Sequence, residues 1–257
     1  MRRCKNCLMA ETKPGIELDD DELCQACTHS DMREEVDYEA RWAELEELVD
    51  AHRRDSYYDC IIPVSGGKDS HYQTLVMTER LDMNPLLVAV SDPFPKTEAG
   101  KHNIQNLTEA FDCDIITVEI GRERARRMMR IAFEEKGHPA WPIDLAIYNV
   151  PIQTGIKLDI PLIIYGENVD WQYGGWGIYD HDDEEEFSAL PKVLNDAEDN
   201  DLSFWRDHGI SDEALNLLTF PSTQEIQEAG LEPVYLGYFE KWDGYANYKT
   251  AKKRGFR

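Results

Sequence analysis

The chain has 257 residues, with 51 Asp and Glu against 27 Lys and Arg, giving a net charge of −24 and a pI near 4.6. That balance argues against binding to a phosphate backbone, which needs clustered basic residues, so no nucleic-acid partner is expected. A hydrophobic fraction of 42% is enough for a packed core. There is no run of ~18 apolar residues and no apolar stretch after Met1-Arg2-Arg3, so neither a membrane span nor a signal peptide is expected, and the location predicted is cytoplasmic. Adaptation to high salt is one explanation of the acidic surplus.

The first 30 residues hold four of the six cysteines, Cys4, Cys7, Cys24 and Cys27, as C-x2-C-x16-C-x2-C. Two thiolates from each of two tight turns supply the tetrahedral sulfur shell that Zn²⁺ accepts. With so few apolar residues, the segment needs a metal or cross-links to fold, and a structural zinc ribbon over 1–30 is predicted. A disulfide pair and an iron–sulfur cluster are the rival readings. A connector helix is expected over 31–56, where Trp42, Leu45, Leu48 and Val49 recur at helical spacing. Residues 57–257 then read as one α/β domain with an acidic, aromatic insertion near 170–202.

Asp59–Val64 reads as a buried parallel strand, followed by Ser65-Gly66-Gly67-Lys68-Asp69-Ser70 and a helix over His71–Leu81. The glycines let backbone N–H groups approach an anion, the helix N-terminus adds partial positive charge, and Lys68 adds a full one. Ser65 and Ser70 offer hydroxyls. The loop is not a Walker A motif, because Asp69 follows the lysine. Further strands are expected at Leu86–Val90, Ile115–Val118 and Pro161–Tyr165, with helices over 98–111 and Arg122–Glu135. The fold class predicted is therefore an open, mainly parallel sheet with helices on both faces. Ligands in such sheets bind beyond the C-terminal strand ends, which draws Ser65–Ser70, Asp92, Glu167 and Asn168 towards one crevice.

The hexapeptide Ser65–Ser70 resembles the SGGKDS signature of the pyrophosphate-loop ATP enzymes, whose members cleave ATP between its α and β phosphates and transfer AMP to an oxygen. Along its whole length the chain also resembles the N-acetyl sugar amidotransferases of surface-glycan biosynthesis. The residues that carry this are Cys4-x-x-Cys7, Thr12-Lys13-Pro14-Gly15-Ile16, Cys24-x-x-Cys27, Val64–Ser70, Trp141-Pro142, Pro161–Ile164, Gly166-Glu167-Asn168, Tyr173-Gly174-Gly175 and Tyr235–Tyr238, in that order. The resemblance implies conversion of a sugar acetamido group to an acetamidino group. ATP adenylylates the amide oxygen, and ammonia from a separate glutaminase subunit displaces AMP. The sugar is nucleotide-linked or a nonulosonic acid precursor. ATP, Mg²⁺ and structural Zn²⁺ are the cofactors implied, with Ser65, Gly66, Gly67, Lys68, Asp69, Ser70 and Asp92 around the nucleotide and Mg²⁺. Lys68, Asp69, Glu167 and Asn168 are the candidate catalytic residues.

The sequence departs from this family at Ile143-Asp144, where Cys-His commonly follows the Trp-Pro pair, and it stops at Lys253-Arg254-Gly255-Phe256-Arg257 where members usually continue. Two other functions compete: a tRNA-thiolating enzyme of the same superfamily, and a non-catalytic nucleotide-binding partner. Cys60 and Cys113 read as buried small hydrophobes. The aromatic group Trp171, Tyr173, Trp176 and Tyr179 suits sugar stacking or loop packing equally. The run Arg122, Arg124, Arg126, Arg127 and Arg130 reads as a solvated helix face or as a contact for a nucleotide-sugar diphosphate.

Overall fold

The computed structural model describes residues 1–13, 15–55, 57–168, 172 and 202–257. The insertion's acidic run Asp182–Glu186, the aromatic group and Tyr173-Gly174-Gly175 lie outside the described residues, as does Pro14.

Five strands, β1 (Cys60–Pro63), β2 (Pro85–Ser91), β3 (Ile115–Glu119), β4 (Leu162–Tyr165) and β5 (Glu232–Tyr235), form one sheet in the order β3-β2-β1-β4-β5, all pairs parallel. Side-chain alternation sorts the strands into two cores. Ile61, Leu86, Val88, Ile163 and Tyr165 face one way. Cys60, Ile62, Leu87, Ala89, Leu162 and Ile164 face the other. Both faces are apolar because both are covered, as in parallel sheets generally. On the first face lie α5 (Arg122–Lys136) and α6 (Trp141–Leu158), through Met128, Ala132, Ala146 and Val150. The second is covered by α2 (Tyr38–Ala51), α3 (Lys68–Leu75) and α4 (Glu98–Phe111), through Leu45, Val49, Val76, Met77, Leu107 and Phe111. The predicted open parallel sheet, with helices on both faces, is the architecture found.

The strand and helix periods place β1 to β4 within a residue or two of their expected bounds. Two differences have physical causes. The helix expected over 31–56 is two helices, α1 (Gln25–Glu34) and α2, because Asp37 caps α2 by accepting from the Ala40 N–H (3.0 Å) and the chain breaks there. The helix after the loop starts earlier, at Lys68, and its final turn, Val76–Arg80, widens to a π-helix.

Beyond the insertion come α7 (Ser203–Asp207), α8 (Asp212–Leu215), α9 (Thr223–Glu228), β5, α10 (Leu236–Phe239) and α11 (Gly244–Lys253). A capping box of Ser222 and Glu225 starts α9. The last helix, α11, returns across the sheet and packs against α3. The segment after it docks on α4: Asn106 Nδ2 donates to the Arg254 carbonyl (2.8 Å), and Asn103 bonds both the N–H (2.9 Å) and the carbonyl (3.2 Å) of Arg257. Among the described residues, no helix is long and apolar enough to cross a membrane.

Candidate functional site

From β1 the chain runs outward through β2 to β3, and then returns to lay β4 on the other side of β1. The direction reverses between β1 and β4, and the crevice at their carboxyl ends is where open α/β sheets bind ligands. Two predicted segments meet there, Ser65–Ser70 after β1 and Gly166–Asn168 after β4.

The loop is held by its own hydroxyls. Ser65 N–H donates to Ser70 Oγ (2.9 Å), and Gly67 N–H reaches Ser65 Oγ (3.4 Å). Gly67 is the N-cap of α3 and no side chain caps the helix, which leaves its first-turn N–H groups for an anion. Gly66 has φ +80°, and a Cβ there would lie 2.9 Å from the Ile104 side chain. Gly66→Ala therefore combines left-handed strain of about 1–2 kcal/mol with a clash. We expect its unfolding midpoint to fall by roughly 2–8 °C, with weakened nucleotide binding. Thermal melts and nucleotide titrations matching the wild type would refute this reading of the turn.

Behind the loop, His71 is buried, and its Nδ1–H donates to the Gly67 carbonyl (2.9 Å). Its ring meets Phe111 and Phe256 edge-on, at 6.3 and 5.3 Å between centroids. Burial holds the imidazole below its ordinary pKa, against the Gly67 bond, so a neutral ring braces the loop.

Lys68 Nζ is paired with Asp69 Oδ2, while Asp69 Oδ1 accepts from Asn247 Nδ2 (3.2 Å). Buried Gln73 ties α3 to the β4 end. The amide orientation that satisfies both neighbours turns its oxygen to the Gly166 N–H (2.7 Å) and its nitrogen to the Asp69 carbonyl (3.2 Å). Glu167 Oε2 accepts from Trp242 Nε1 (3.0 Å). Thus Lys68 and Asp69 stand together on α3, and Gln73 joins that helix to the segment bearing Glu167 and Asn168. Asp92 is at the β2 end, but it closes its own turn. Its Oδ1 accepts from the Phe94 N–H (2.9 Å), and Lys96 pairs with Oδ2 (3.8 Å).

Beside the loop, a cavity of about 260 Å³ opens between the ends of β1, β2 and β3 and α4. Val64, Ala89, Val90 and Ile104 give it apolar walls, with Ser65, Lys96 and Lys101 also lining it. Walls of this kind accept a flat apolar group such as a nucleobase, next to a loop suited to its phosphates. Sequence reading missed Lys96, Lys101 and Ile104, since nothing in their local pattern separates them from ordinary helix-start residues. It also missed Trp242 and Asn247, which reach the site from the end of the chain.

In the ribbon, each thiol pair is close: Cys4 and Cys27 Sγ are 3.7 Å apart, Cys7 and Cys24 Sγ 3.5 Å, and all four lie within 4.8 Å of one another. A tetrahedral Zn²⁺ with bonds of ~2.3 Å separates its sulfurs by about 3.8 Å. The four residues therefore fit one such ion; an iron–sulfur cubane, with its own sulfides between the irons, spreads its thiolates farther. Burial opposes ionisation of Cys4, yet the backbone N–H groups of Cys7, Cys24 and Asn6 outweigh it and bring the thiol down to about 6. Burial and the adjacent thiols push Cys27 up to about 12. Ionising all four without a cation is therefore unfavourable. Among the described residues this is the only His, Cys, Asp or Glu group with ligand atoms close enough to hold a metal.

Cys60 and Cys113 are buried, and burial raises both thiols, Cys113 to about 11. Each stands at or just before the amino end of its strand, at the opposite end of the strands from the loop. The arginines of α5 stand among carboxylates: Glu123 lines both of the cavities they border, and Glu213 lines one of them. Arg124, Arg126, Arg127 and Arg130 line two adjoining open cavities of about 590 and 540 Å³, both bounded by Arg127. Arg127 is anchored by donating to the His208 carbonyl (3.0 Å).

Comparisons with known proteins add little that is specific. No protein-family profile matches the chain. It is 25% identical over 170 residues to an uncharacterized protein of Methanocaldococcus jannaschii, a match that takes in 61% of this chain and 59% of the relative. The chain thus spans about three-fifths of the length of that curated relative. Among solved structures it is similar to the U34-tRNA thiolase NcsA of Methanococcus maripaludis with its 4Fe–4S cluster. There the TM-score is 0.46 and the identity 12%, over 100% of this chain and 74% of that one.

Proposed function

We propose that the protein is an ATP-dependent ligase that adenylylates an amide oxygen, releases pyrophosphate, and lets ammonia displace AMP. The observation that carries this is the Ser65–Ser70 turn. It joins uncapped helix N–H groups, two hydroxyls and Lys68 at the switch point of a parallel sheet, beside an apolar cavity sized for a base. In this reading the base enters between Val64, Ala89 and Ile104, and the loop N–H groups take the phosphates. Lys68 leaves Asp69 to neutralise charge gathering on the departing pyrophosphate. Mg²⁺ binds through few carboxylates and the substrate's own phosphates, and Asp69 is the carboxylate at hand. Bound there, it would supply Lewis-acid stabilisation of the same charge. Asp92, occupied in its turn, fits a rim role better than a metal role.

For the acceptor we favour an N-acetyl sugar. The ordered residues from the cysteine ribbon to Tyr235–Tyr238 support it, and in this reading Glu167 and Asn168 orient sugar or ammonia. A glutaminase partner would supply the ammonia. Zn²⁺ in the ribbon agrees with the thiol spacing.

The second reading is tRNA thiolation. The cavity lined by Arg126, Arg127 and Arg130 favours it, a local cluster of cations on a chain of net charge −24, although Glu123 lines it too. The solved neighbour's own activity is of this kind, but a likeness of that strength does not decide the acceptor. Against it stand Cys60 and Cys113, which are buried at the amino ends of their strands, away from the loop where a sulfur carrier would act. Incubation with ATP, Mg²⁺, ammonium and N-acetylated nucleotide sugars separates the readings. Sugar-dependent pyrophosphate release, with one sugar oxygen replaced by NH in the product, is the expected result. Release that requires tRNA and a sulfur donor would overturn the sugar assignment. Nucleotide binding without turnover in either mixture would overturn the enzymatic one.

A further inference from the structure

The segment Trp242–Asn247, which bridges α10 and α11, touches three of the site's charged groups. Trp242 Nε1 donates to Glu167 (3.0 Å), the Lys68 side chain runs past Gly244, whose Cβ position is 3.5 Å from Lys68 Cε, and Asn247 Nδ2 donates to Asp69 Oδ1 (3.2 Å). Asn247 is 2% exposed, a cost for an amide that burial alone does not require. Its N–H···carboxylate bond leaves Asp69 with one oxygen committed to α11 and the other facing Lys68. The start of α11 is itself fixed, because Asp243 accepts from the N–H groups of Tyr245 (2.8 Å) and Ala246 (3.0 Å).

We infer that Asn247 is a positioning residue for the phosphate loop, acting through Asp69 to set where Lys68 rests and how readily it turns to a phosphate. The inference rests on the reading of the loop as an MgATP site, and it makes the end of the chain a working wall of that site.

A double-mutant cycle tests it. MgATP is titrated calorimetrically, to millimolar concentration, into the full-length wild type and into Asn247→Ala, Asp69→Ala and the double variant. Residues in one network give non-additive effects. Asn247→Ala is expected to weaken binding about threefold to tenfold, the size of one ordinary net hydrogen bond, because the amide acts on the nucleotide only through Asp69. In the Asp69→Ala background the same change should cost less than twofold. A merely structural amide would lower affinity equally in both backgrounds, or not at all, and either result overturns the inference. Should Asn247→Ala fold poorly by circular dichroism, the near-isosteric Asn247→Leu, which removes the bond without adding a charge, takes its place in the cycle. Lys68→Ala, run in parallel, separates the two claims. If it binds MgATP like the wild type, the loop reading itself fails; if it loses binding while the cycle is additive, only the role of Asn247 falls.

Discussion

Lys68→Ala is expected to lower the rate of pyrophosphate release about a thousandfold, equivalent to ~4 kcal/mol of transition-state stabilisation. Among the described residues the ion pair of Lys68 is with Asp69, its chain neighbour, and its side chain keeps 33% exposure. A partly exposed ion pair between chain neighbours contributes ~0–1 kcal/mol to folding, so the unfolding midpoint should shift by no more than about 4 °C. The separation between the two effects is what makes the variant informative. A large fall in stability would make Lys68 part of the scaffold, and unchanged turnover would remove the loop from the chemistry. Steady-state pyrophosphate release together with thermal melts gives both numbers.

Cys4→Ser is expected to release the ribbon's metal and unfold residues 1–30, with the sheet's own transition retained. The ribbon has only a small apolar cluster of its own, Ile16 with Met9, Leu18, Leu23 and Ala26 around the thiols. Structural zinc in small domains carries apparent binding energies of about 10–16 kcal/mol near neutral pH, far more than such a cluster supplies. Because thiolates are the ligands, protons compete with the metal, and occupancy falls as pH drops. Elemental analysis of the wild type should find zinc, and the variant should lack it. Proteolysis should then cut the variant first within the ribbon. Iron with acid-labile sulfide in the wild type would contradict the zinc assignment.

Much of this was legible in the residues because the signals were local. A strand of consecutive apolar residues, a glycine pair and a helix together define the loop. Each C-x2-C pair is local, Cys4–Cys7 a tight turn and Cys24–Cys27 the first turn of α1, so each presents its two thiols together. Gly166-Glu167-Asn168 was drawn to the loop by a rule about strand ends, which holds because β4 returns beside β1. What stayed hidden depends on long-range packing. Asn247 lies 178 residues from Asp69, and nothing in Tyr245-Ala246-Asn247 announces a buried amide aimed at a carboxylate. α6 carries Pro151 within its length and has little amphipathic contrast, since it is sandwiched between sheet and α5. β5 is a four-residue strand containing a proline, whose place in the sheet is set by β4. Asp92 stands at a strand end as its position predicts, while the bond that its carboxylate accepts from the Phe94 N–H depends on the local turn and cannot be read from spacing.

The claim on which all else depends is that ATP is cut between its α and β phosphates at the Ser65–Ser70 loop. Phosphorus NMR of the wild-type protein turning over MgATP with its acceptor and ammonium tests it directly. AMP and pyrophosphate should appear in equal amounts, and both should be absent with Lys68→Ala. ADP and inorganic phosphate as the products, or AMP and pyrophosphate formed equally by Lys68→Ala, would contradict it.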